Sequence, residues 1–145
     1  MIQRCNGWRL KGDKIVFTNG CFDILHRGHI DLLLEAAEQG NKLIVALNTD
    51  ASVSRLKGAD RPINTEQDRA MLLAAQTFVD AVCLFDTDTP LDLIKLLHPD
   101  ILVKGGDYTT DQIVGAQEVK SYGGRVHIVP LRKGYSSTNT LSRLK

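Results

Sequence analysis

The sequence predicts a single α/β domain in which a five-stranded parallel sheet carries helices on both faces. Five short apolar segments recur along the 145 residues, and segments with helical periodicity separate them. A chain of this length can bury a hydrophobic core without disulfides or metal ions. We therefore treat residues 1–145 as one domain.

The predicted strands are short runs rich in β-branched and other apolar residues, and turn residues or helix starts follow each run. They are residues 14–18 (KIVFT), 42–47 (KLIVAL), 81–85 (AVCLF), 100–106 (DILVKGG) and 125–130 (RVHIVP).

The predicted helices lie between these runs. Apolar residues show helical spacing from Leu25 until Gly40 ends the pattern. Thr65 is predicted to cap a helix over 66–76, and Thr89 to cap one with Pro90 at its first position. Further helices are predicted at 111–124 and 136–144, a long polar connection at 48–64, and a polar N-terminal lead at 1–12.

This alternation predicts a Rossmann-like fold, in which ligands bind at the carboxyl ends of the strands near the point where the strand order reverses. The loops that follow the strands are therefore the candidate functional segments. They are residues 19–29, 48–64, 86–89, 104–110 and 130–138.

The composition excludes several classes of function. The formal net charge is +1 and no basic patch is visible, which argues against a nucleic-acid partner. The N-terminal residues lack the apolar core of a signal peptide and no run is long enough to span a bilayer, so we expect a cytoplasmic protein without a membrane partner. Cys5, Cys21 and Cys83 are widely spaced, which favours reduced thiols, with Cys83 in the core.

Two segments carry groups that suit a phosphate. His26 and His29 lie within about one turn of a predicted helix start, where unpaired N–H groups and the helix dipole attract anions. Gly28 between them would let a ligand approach the backbone. The candidates for a second anion site and for the accompanying cations are Ser136, Ser137, Thr138, Lys57, Arg61, Arg69 and Lys104.

Each feature alone also has an ordinary structural interpretation. Histidines at this spacing often face solvent or cap a helix, and a Ser/Thr cluster usually only caps one. A metal site at the histidines is disfavoured because Asp23, the nearest carboxylate, completes only a tight local set. The motifs GxxxxGK[ST] and GxGxxG are absent, which excludes the commonest ATPase and dehydrogenase interpretations.

Together the two segments resemble a known family. GCFDILHRGH (20–29) resembles the HxGH signature of the nucleotidylyltransferase superfamily, and YSSTNTL (135–141) resembles its Ser/Thr signature before the final helix. Within that superfamily, IVFTNGCFDILHRGH, NTDASVSRLKG, RPIN and LVKGGDY are similar to the adenylyltransferases of ADP-heptose synthesis, over about residues 12–145. In many bacteria that domain follows a sugar kinase, but 145 residues leave no room for one, so we expect the stand-alone form.

The resemblance also implies a role for each motif. His26, His29 and Lys57 would be catalytic: the histidines bind the phosphates and stabilise the transition state, and the lysine neutralises the triphosphate. Ser136–Thr138 would bind the β- and γ-phosphates, and residues 105–107 would lie near the nucleobase. The full set of implied nucleotide-binding residues is Thr18, Asn19, Gly20, Cys21, Phe22, Asp23, Gly28, Arg69, Lys104, Gly105, Gly106, Asp107, Ser136, Ser137 and Thr138.

The implied reaction transfers AMP from ATP to heptose 1-phosphate and gives ADP-heptose, a lipopolysaccharide core precursor, and pyrophosphate. The implied cofactor is Mg²⁺ held mainly by the nucleotide phosphates rather than by protein ligands, and relatives suggest a homodimer. We expect the histidines to stabilise charge, with bound phosphate favouring their protonated form. Open alternatives are a cytidylyl- or guanylyltransferase of the same fold acting on another phosphorylated sugar or alcohol, and a nucleotide-binding regulatory module without turnover.

Overall fold

Five parallel strands form the centre of the computed structural model, which describes residues 1–145. The strands are β1 (Ile15–Gly20), β2 (Lys42–Asn48), β3 (Ala81–Phe85), β4 (Ile101–Gly105) and β5 (Arg125–Val129), and their order in the sheet is β3-β2-β1-β4-β5. The helices are α1 (Ile2–Leu10), α2 (Arg27–Glu38), α3 (Asp50–Lys57), α4 (Glu66–Ala74), α5 (Leu91–Leu97), α6 (Ala116–Ser121) and α7 (Ser137–Arg143), with a 3₁₀ helix at Thr110–Gln112. The predicted α/β fold class and all five strands are confirmed.

Helices cover both faces of the sheet because successive strand residues point to opposite sides. In β1, Ile15 and Phe17 belong to the apolar cluster that includes Cys5 of α1 and buried residues of α5 and α6. Val16 belongs to the opposite cluster, with buried residues of α2 and α4. Two apolar layers therefore stabilise the two faces of the sheet. Neither face is open to a ligand, so the carboxyl edge of the sheet is where one can bind.

The N-terminal lead and the polar connection each contain a helix that was not predicted. Residues 1–12 contain α1, whose Cys5 is fully buried although the helix is polar overall. Residues 48–64 contain α3, where the Thr49 hydroxyl caps the helix by accepting the N–H of Ser52 at 3.2 Å. Neither segment has a strong apolar stripe, so their burial depends on packing that local pattern does not reveal.

Two helix boundaries also differ from prediction. Helix α5 begins at Leu91 with Pro90 as its N-cap, and the Thr89 side chain makes no capping bond. The helix predicted over 111–124 is interrupted at Gly115, which has a φ of 87° and lies so close to Ile94 that a Cβ would be 2.6 Å from its Cδ1. The predicted cap Thr65 is confirmed and Ser136 caps α7 in the same way, because each hydroxyl accepts a backbone N–H three residues ahead.

Candidate active site

The sheet opens at its carboxyl edge between β1 and β4. Strand β1 pairs with β2 over six residues but with β4 only at Val16–Ile101 and Phe17–Leu102. Beyond Phe17 the two strands continue without pairing, and the chain order reverses at this point. A doubly wound sheet therefore presents its binding crevice here, as the fold predicts.

The turn from β1 to α2 is held in place by Asp23. Its buried carboxylate accepts the N–H of Ile63 at 2.7 Å, the N–H of Asn64 at 3.0 Å and the Nε–H of Arg61 at 3.1 Å. Burial alone would raise the pKa of Asp23, but these hydrogen bonds and the Arg61 charge lower it below its usual range. The carboxylate thus ties the turn to the α3–α4 connection.

His26 and His29 form a reciprocal cap at the start of α2. His26 is the N-cap, and its Nδ1 accepts the N–H of Gly28 at 3.1 Å. The Nδ1 of His29 accepts the N–H of His26 at 3.3 Å, and the two rings stack with centroids 3.8 Å apart. Because both Nδ1 atoms are acceptors, the proton of each neutral ring lies on Nε2.

The local environment disfavours protonation of both rings in the free protein. Burial, with smaller contributions from the charges of His26 and Lys57, lowers the pKa of His29 to about 4. Burial also lowers the pKa of His26. Protonating either ring would also displace a capping bond, so the arrangement favours neutral N–H donors over the protonated form that the sequence suggested.

The two sequence motifs meet in one cleft, which we call the histidine cleft. Its volume is about 230 Å³, and its lining combines the α2 start, the end of α3 and the β5–α7 loop. Ser137 joins the motifs directly, because its hydroxyl donates to the carbonyl oxygen of Asp23. The lining residues are His26, Gly28, His29, Leu32, Lys57, Leu131, Arg132, Tyr135, Ser136, Ser137 and Thr138.

Gly28 is required by the tight packing of this cleft. A Cβ at this position would lie 3.0 Å from both Cε1 of His26 and Cβ of Tyr135. A second depression of about 410 Å³ adjoins the histidine cleft and shares Gly28, Leu32, Leu131 and Arg132 with it. Gly105 borders this region, since its Cβ would meet the side chains of Leu131 and Leu32.

A separate cleft of about 340 Å³, the switch-point cleft, lies at the ends of β1 and β4. It contains Asn19, Gly20, Cys21 and Lys104, and also Asn48 and Asp88. Burial lowers the pKa of Lys104, although the Cys21 thiol opposes this effect. The structure therefore separates Lys104 from the histidines, where the resemblance had grouped them as one nucleotide site.

Three implied nucleotide-binding residues have side chains that are buried behind the clefts, so these side chains line neither the histidine cleft nor the switch-point cleft. Arg69 is fully buried, and its guanidinium donates to the carbonyls of Cys21, Asn48 and Asn64 and to the carboxylate of Asp50. Thr18 is 1% exposed, and Phe22 packs against His29 with ring centroids 5.3 Å apart. Asp23 is equally buried, in the turn-holding role that the sequence suggested for it.

Sequence reasoning missed Arg132 and Asn48. Arg132 lines both the histidine cleft and its neighbour and donates to the carboxylate of Asp31. Asn48 ends β2 in the switch-point cleft. The signal was present for both, because each lies in or at the edge of a loop that follows a strand.

Two further features bear on ligands. No three His, Cys, Asp or Glu side chains converge as a metal-binding group. None of the helices combines the length and the apolar character that crossing a membrane requires.

Comparison with known proteins assigns the family. Residues 17–141 match the model of the cytidylyltransferase-like family. The chain belongs to that family. The match confirms the resemblance to the HxGH nucleotidylyltransferase superfamily and includes every lining residue of the histidine cleft and the switch-point cleft.

Relatives and solved structures agree with this assignment. The chain is 53% identical over 144 residues to bifunctional protein HldE of Methylobacillus flagellatus, covering 99% of this chain and 30% of the relative. It is 60% identical over 131 residues to bifunctional protein HldE of Gluconobacter oxydans, covering 90% and 27%. The chain thus spans less than a third of the length of these relatives.

Among solved structures, the lipopolysaccharide core biosynthesis protein of Thermoplasma volcanium matches with a TM-score of 0.66 and 31% identity, over 86% of this chain and 100% of that one. Pantoate-beta-alanine ligase of Francisella tularensis matches with a TM-score of 0.65 and 19% identity, over 97% of this chain and 70% of that one, which shows a shared fold alone.

Proposed function

We propose that this protein transfers AMP from ATP to heptose 1-phosphate, forming ADP-heptose and releasing pyrophosphate. The observation that carries the proposal is the histidine cleft, where two imidazole donors meet the Lys57 ammonium and the Ser136 and Thr138 hydroxyls. The HldE relatives and the structural similarity to a lipopolysaccharide core biosynthesis protein support a heptose phosphate as the acceptor.

The reaction needs no general base. A phosphate monoester has a second pKa of about 6, so the acceptor is mostly dianionic at neutral pH. Catalysis then consists of holding two anions in line and stabilising the charge that develops on the α-phosphate and the leaving pyrophosphate. The histidine cleft supplies donors and a cation for this purpose but contains no carboxylate.

Each histidine acts as a fixed, neutral Nε2–H donor. The backbone N–H groups of Gly28 and His26 occupy the Nδ1 atoms and set the direction of the rings. A neutral imidazole oriented in advance can stabilise developing negative charge without being protonated first. Lys57 at the end of α3 supplies the positive charge.

The acceptor, heptose 1-phosphate, binds in the switch-point cleft. Lys104 can pair with the acceptor phosphate there, since its side chain makes no hydrogen bond to a protein acceptor, and the amides of Asn19 and Asn48 suit sugar hydroxyls. The nucleobase binds in the depression of about 410 Å³ that adjoins the histidine cleft, where Leu32 and Leu131 provide apolar walls. Two clefts at one sheet edge match a reaction with two substrates.

Magnesium fits this site only as a companion of the nucleotide. Mg²⁺ prefers oxygen ligands and commonly binds substrate phosphates with few protein groups. Asp23, the only buried carboxylate, already accepts three hydrogen bonds. The triphosphate would therefore provide most of the ligands, and the metal would neutralise its charge.

Pyrophosphate release measured with heptose 1-phosphate and with ATP, CTP or GTP tests the proposal. We expect turnover with ATP well above that with the other two nucleotides. Preference for CTP would instead support the cytidylyltransferase alternative, which the family description motivates. Tight ATP binding without pyrophosphate release from any sugar phosphate would support the regulatory module.

The predictions of a homodimer and of a cytoplasmic location belong to the same proposal. Light scattering of the purified protein at micromolar concentration tests the first, and cell fractionation tests the second. A monomer across that range would contradict the dimer.

A further inference from the structure

An outer cleft adjoins the histidine cleft on the side of α7. Its volume is about 510 Å³, and it lies between the α3–α4 connection and the C-terminal part of the chain. Its polar lining includes Lys57, Asp60, Arg61, Thr138, Ser142 and Lys145. Three cations and one carboxylate thus surround a space that none of the roles above uses.

The outer cleft and the histidine cleft are contiguous. Lys57 and Thr138 line both spaces. An anion that leaves the histidines can therefore reach the outer cleft while it remains beside the same ammonium and hydroxyl. No such residue is shared between the switch-point cleft and the outer cleft.

Arg61 gives the outer cleft a fixed cation with unused donors. Its side chain is only 10% exposed, and its Nε–H donates to Asp23 at 3.1 Å. Its Nη2 is buried and has no hydrogen-bond partner. A buried donor without an acceptor is costly, and the planar guanidinium suits a phosphate oxygen better than a point charge does.

We propose that the outer cleft receives the pyrophosphate that the adenylyl transfer releases. This inference rests on the proposed function. An oxygen of the acceptor phosphate forms a bond to Pα, and the bond from Pα to the bridging oxygen breaks with its electron pair kept by that oxygen. The bridging oxygen gains one negative charge in this step, and the free pyrophosphate that carries it then meets Arg61 and Lys145, which do not line the histidine cleft.

Calorimetric titration with inorganic pyrophosphate tests this seat without turnover. Lys145→Gln and Arg143→Gln remove the same charge two positions apart, and only Lys145 lines the outer cleft. We expect the dissociation constant to rise about threefold for Lys145→Gln and to stay unchanged for Arg143→Gln. Asp60→Asn should have the opposite effect and lower it by about the same factor.

Arg61→Lys should weaken pyrophosphate binding most, because it keeps the charge but loses the planar fork. Since Arg61 also pairs with Asp23, the melting temperature of the Arg61→Lys variant must be measured together with its pyrophosphate affinity. The Lys145 and Asp60 variants leave that pair intact, so they test the seat even if Arg61→Lys unfolds.

Steady-state kinetics distinguish a pyrophosphate site in the outer cleft from a site for the γ-phosphate of ATP. The same variants should change product inhibition by pyrophosphate but leave KM for ATP within about twofold. Equal changes in both would overturn the proposal and assign the outer cleft to the γ-phosphate of ATP. Unchanged pyrophosphate affinity in all variants would overturn it as well, whereas no pyrophosphate release by the wild-type protein would refute the proposed function.

Discussion

Replacing His29 by Gln tests whether its imidazole acts as a neutral donor. The Gln side chain carries an amide N–H at about the reach of Nε2 but cannot be protonated near neutral pH. Ala removes the donor altogether. If the Nε2–H is what stabilises the reacting phosphates, His29→Gln should keep much of the activity that His29→Ala loses.

The magnitude follows from the environment of the ring. With a pKa of about 4, protonation of His29 at pH 7 costs about 4 kcal/mol in the free protein. A preorganised neutral donor contributes about 3 kcal/mol to transition-state stabilisation. We therefore expect kcat to fall about 100-fold or more in His29→Ala, and His29→Gln to remain within about tenfold of the wild type. His26→Ala should lose about as much as His29→Ala.

The assay is pyrophosphate release from pH 6 to 9 with saturating ATP, Mg²⁺ and heptose 1-phosphate. The wild-type kcat should rise as the acceptor phosphate loses its second proton at about pH 6, and then stay level. His98→Asn is a suitable control, because His98 ends α5 outside all of the clefts and Asn tolerates its positive φ. This control should match the wild type.

Two results, if both were observed, would refute the role of His29 as a neutral donor. One is a His29→Gln variant as inactive as His29→Ala, with the fold of both intact by circular dichroism. The other is a wild-type kcat that falls tenfold for each pH unit above pH 7, which is the behaviour of an essential imidazolium. Together they would show that bound phosphate supplies the missing protonation energy.

Three further predictions concern packing and stability. Gly28→Ala forces a Cβ to 3.0 Å from His26 and Tyr135, so we expect at least about a tenfold loss of kcat/KM for ATP with little change in melting temperature, and normal kinetics would contradict it. Arg69→Met removes four hydrogen bonds from a fully buried site, so the unfolding free energy measured in urea should fall by about 3 kcal/mol or more. KM for ATP should stay near normal, and a kinetic defect without a loss of stability would instead mean that Arg69 contacts ligand. The pKa of His29 is about 4 in the folded protein and about 6.5 in the unfolded chain, so the unfolded chain binds more protons between these pH values. The unfolding free energy should therefore fall by up to about 3 kcal/mol as the pH drops from 6.5 to 4. Urea unfolding at pH 7 and pH 5 checks this, and His29→Gln should reduce the difference.

The strands were predictable because each is a continuous apolar run bounded by turn residues. Helices α2 and α4 were predictable for a related reason, since local capping residues and apolar spacing mark them. Helices α1 and α3 were not, because they have few apolar residues and depend on packing against the rest of the domain. Gly115 likewise interrupts a helix for a reason that lies 21 residues away in Ile94.

Much of the candidate site was also visible in the sequence, because HRGH and YSST each carry their chemistry within a few residues. That the two segments share one cleft is confirmed by its lining and by the hydrogen bond from Ser137 to Asp23. Arg69 shows the limit of this reasoning, since a charged residue that was implied to bind nucleotide is fully buried. Lys104 shows another limit, because the β4 end that carries it opens into a different cleft.

The sequence by itself determined the strand and turn pattern, the family resemblance and the candidate phosphate-binding groups, since these are local properties of residue type and spacing. Only the tertiary structure decided which groups can touch a ligand, which cleft each one lines and how the histidines are protonated. Burial, ion pairing and the direction of a side chain depend on residues far apart in the chain. The neutral histidine pair and the unpaired Nη2 of Arg61 arise in this way, from contacts that no local pattern encodes.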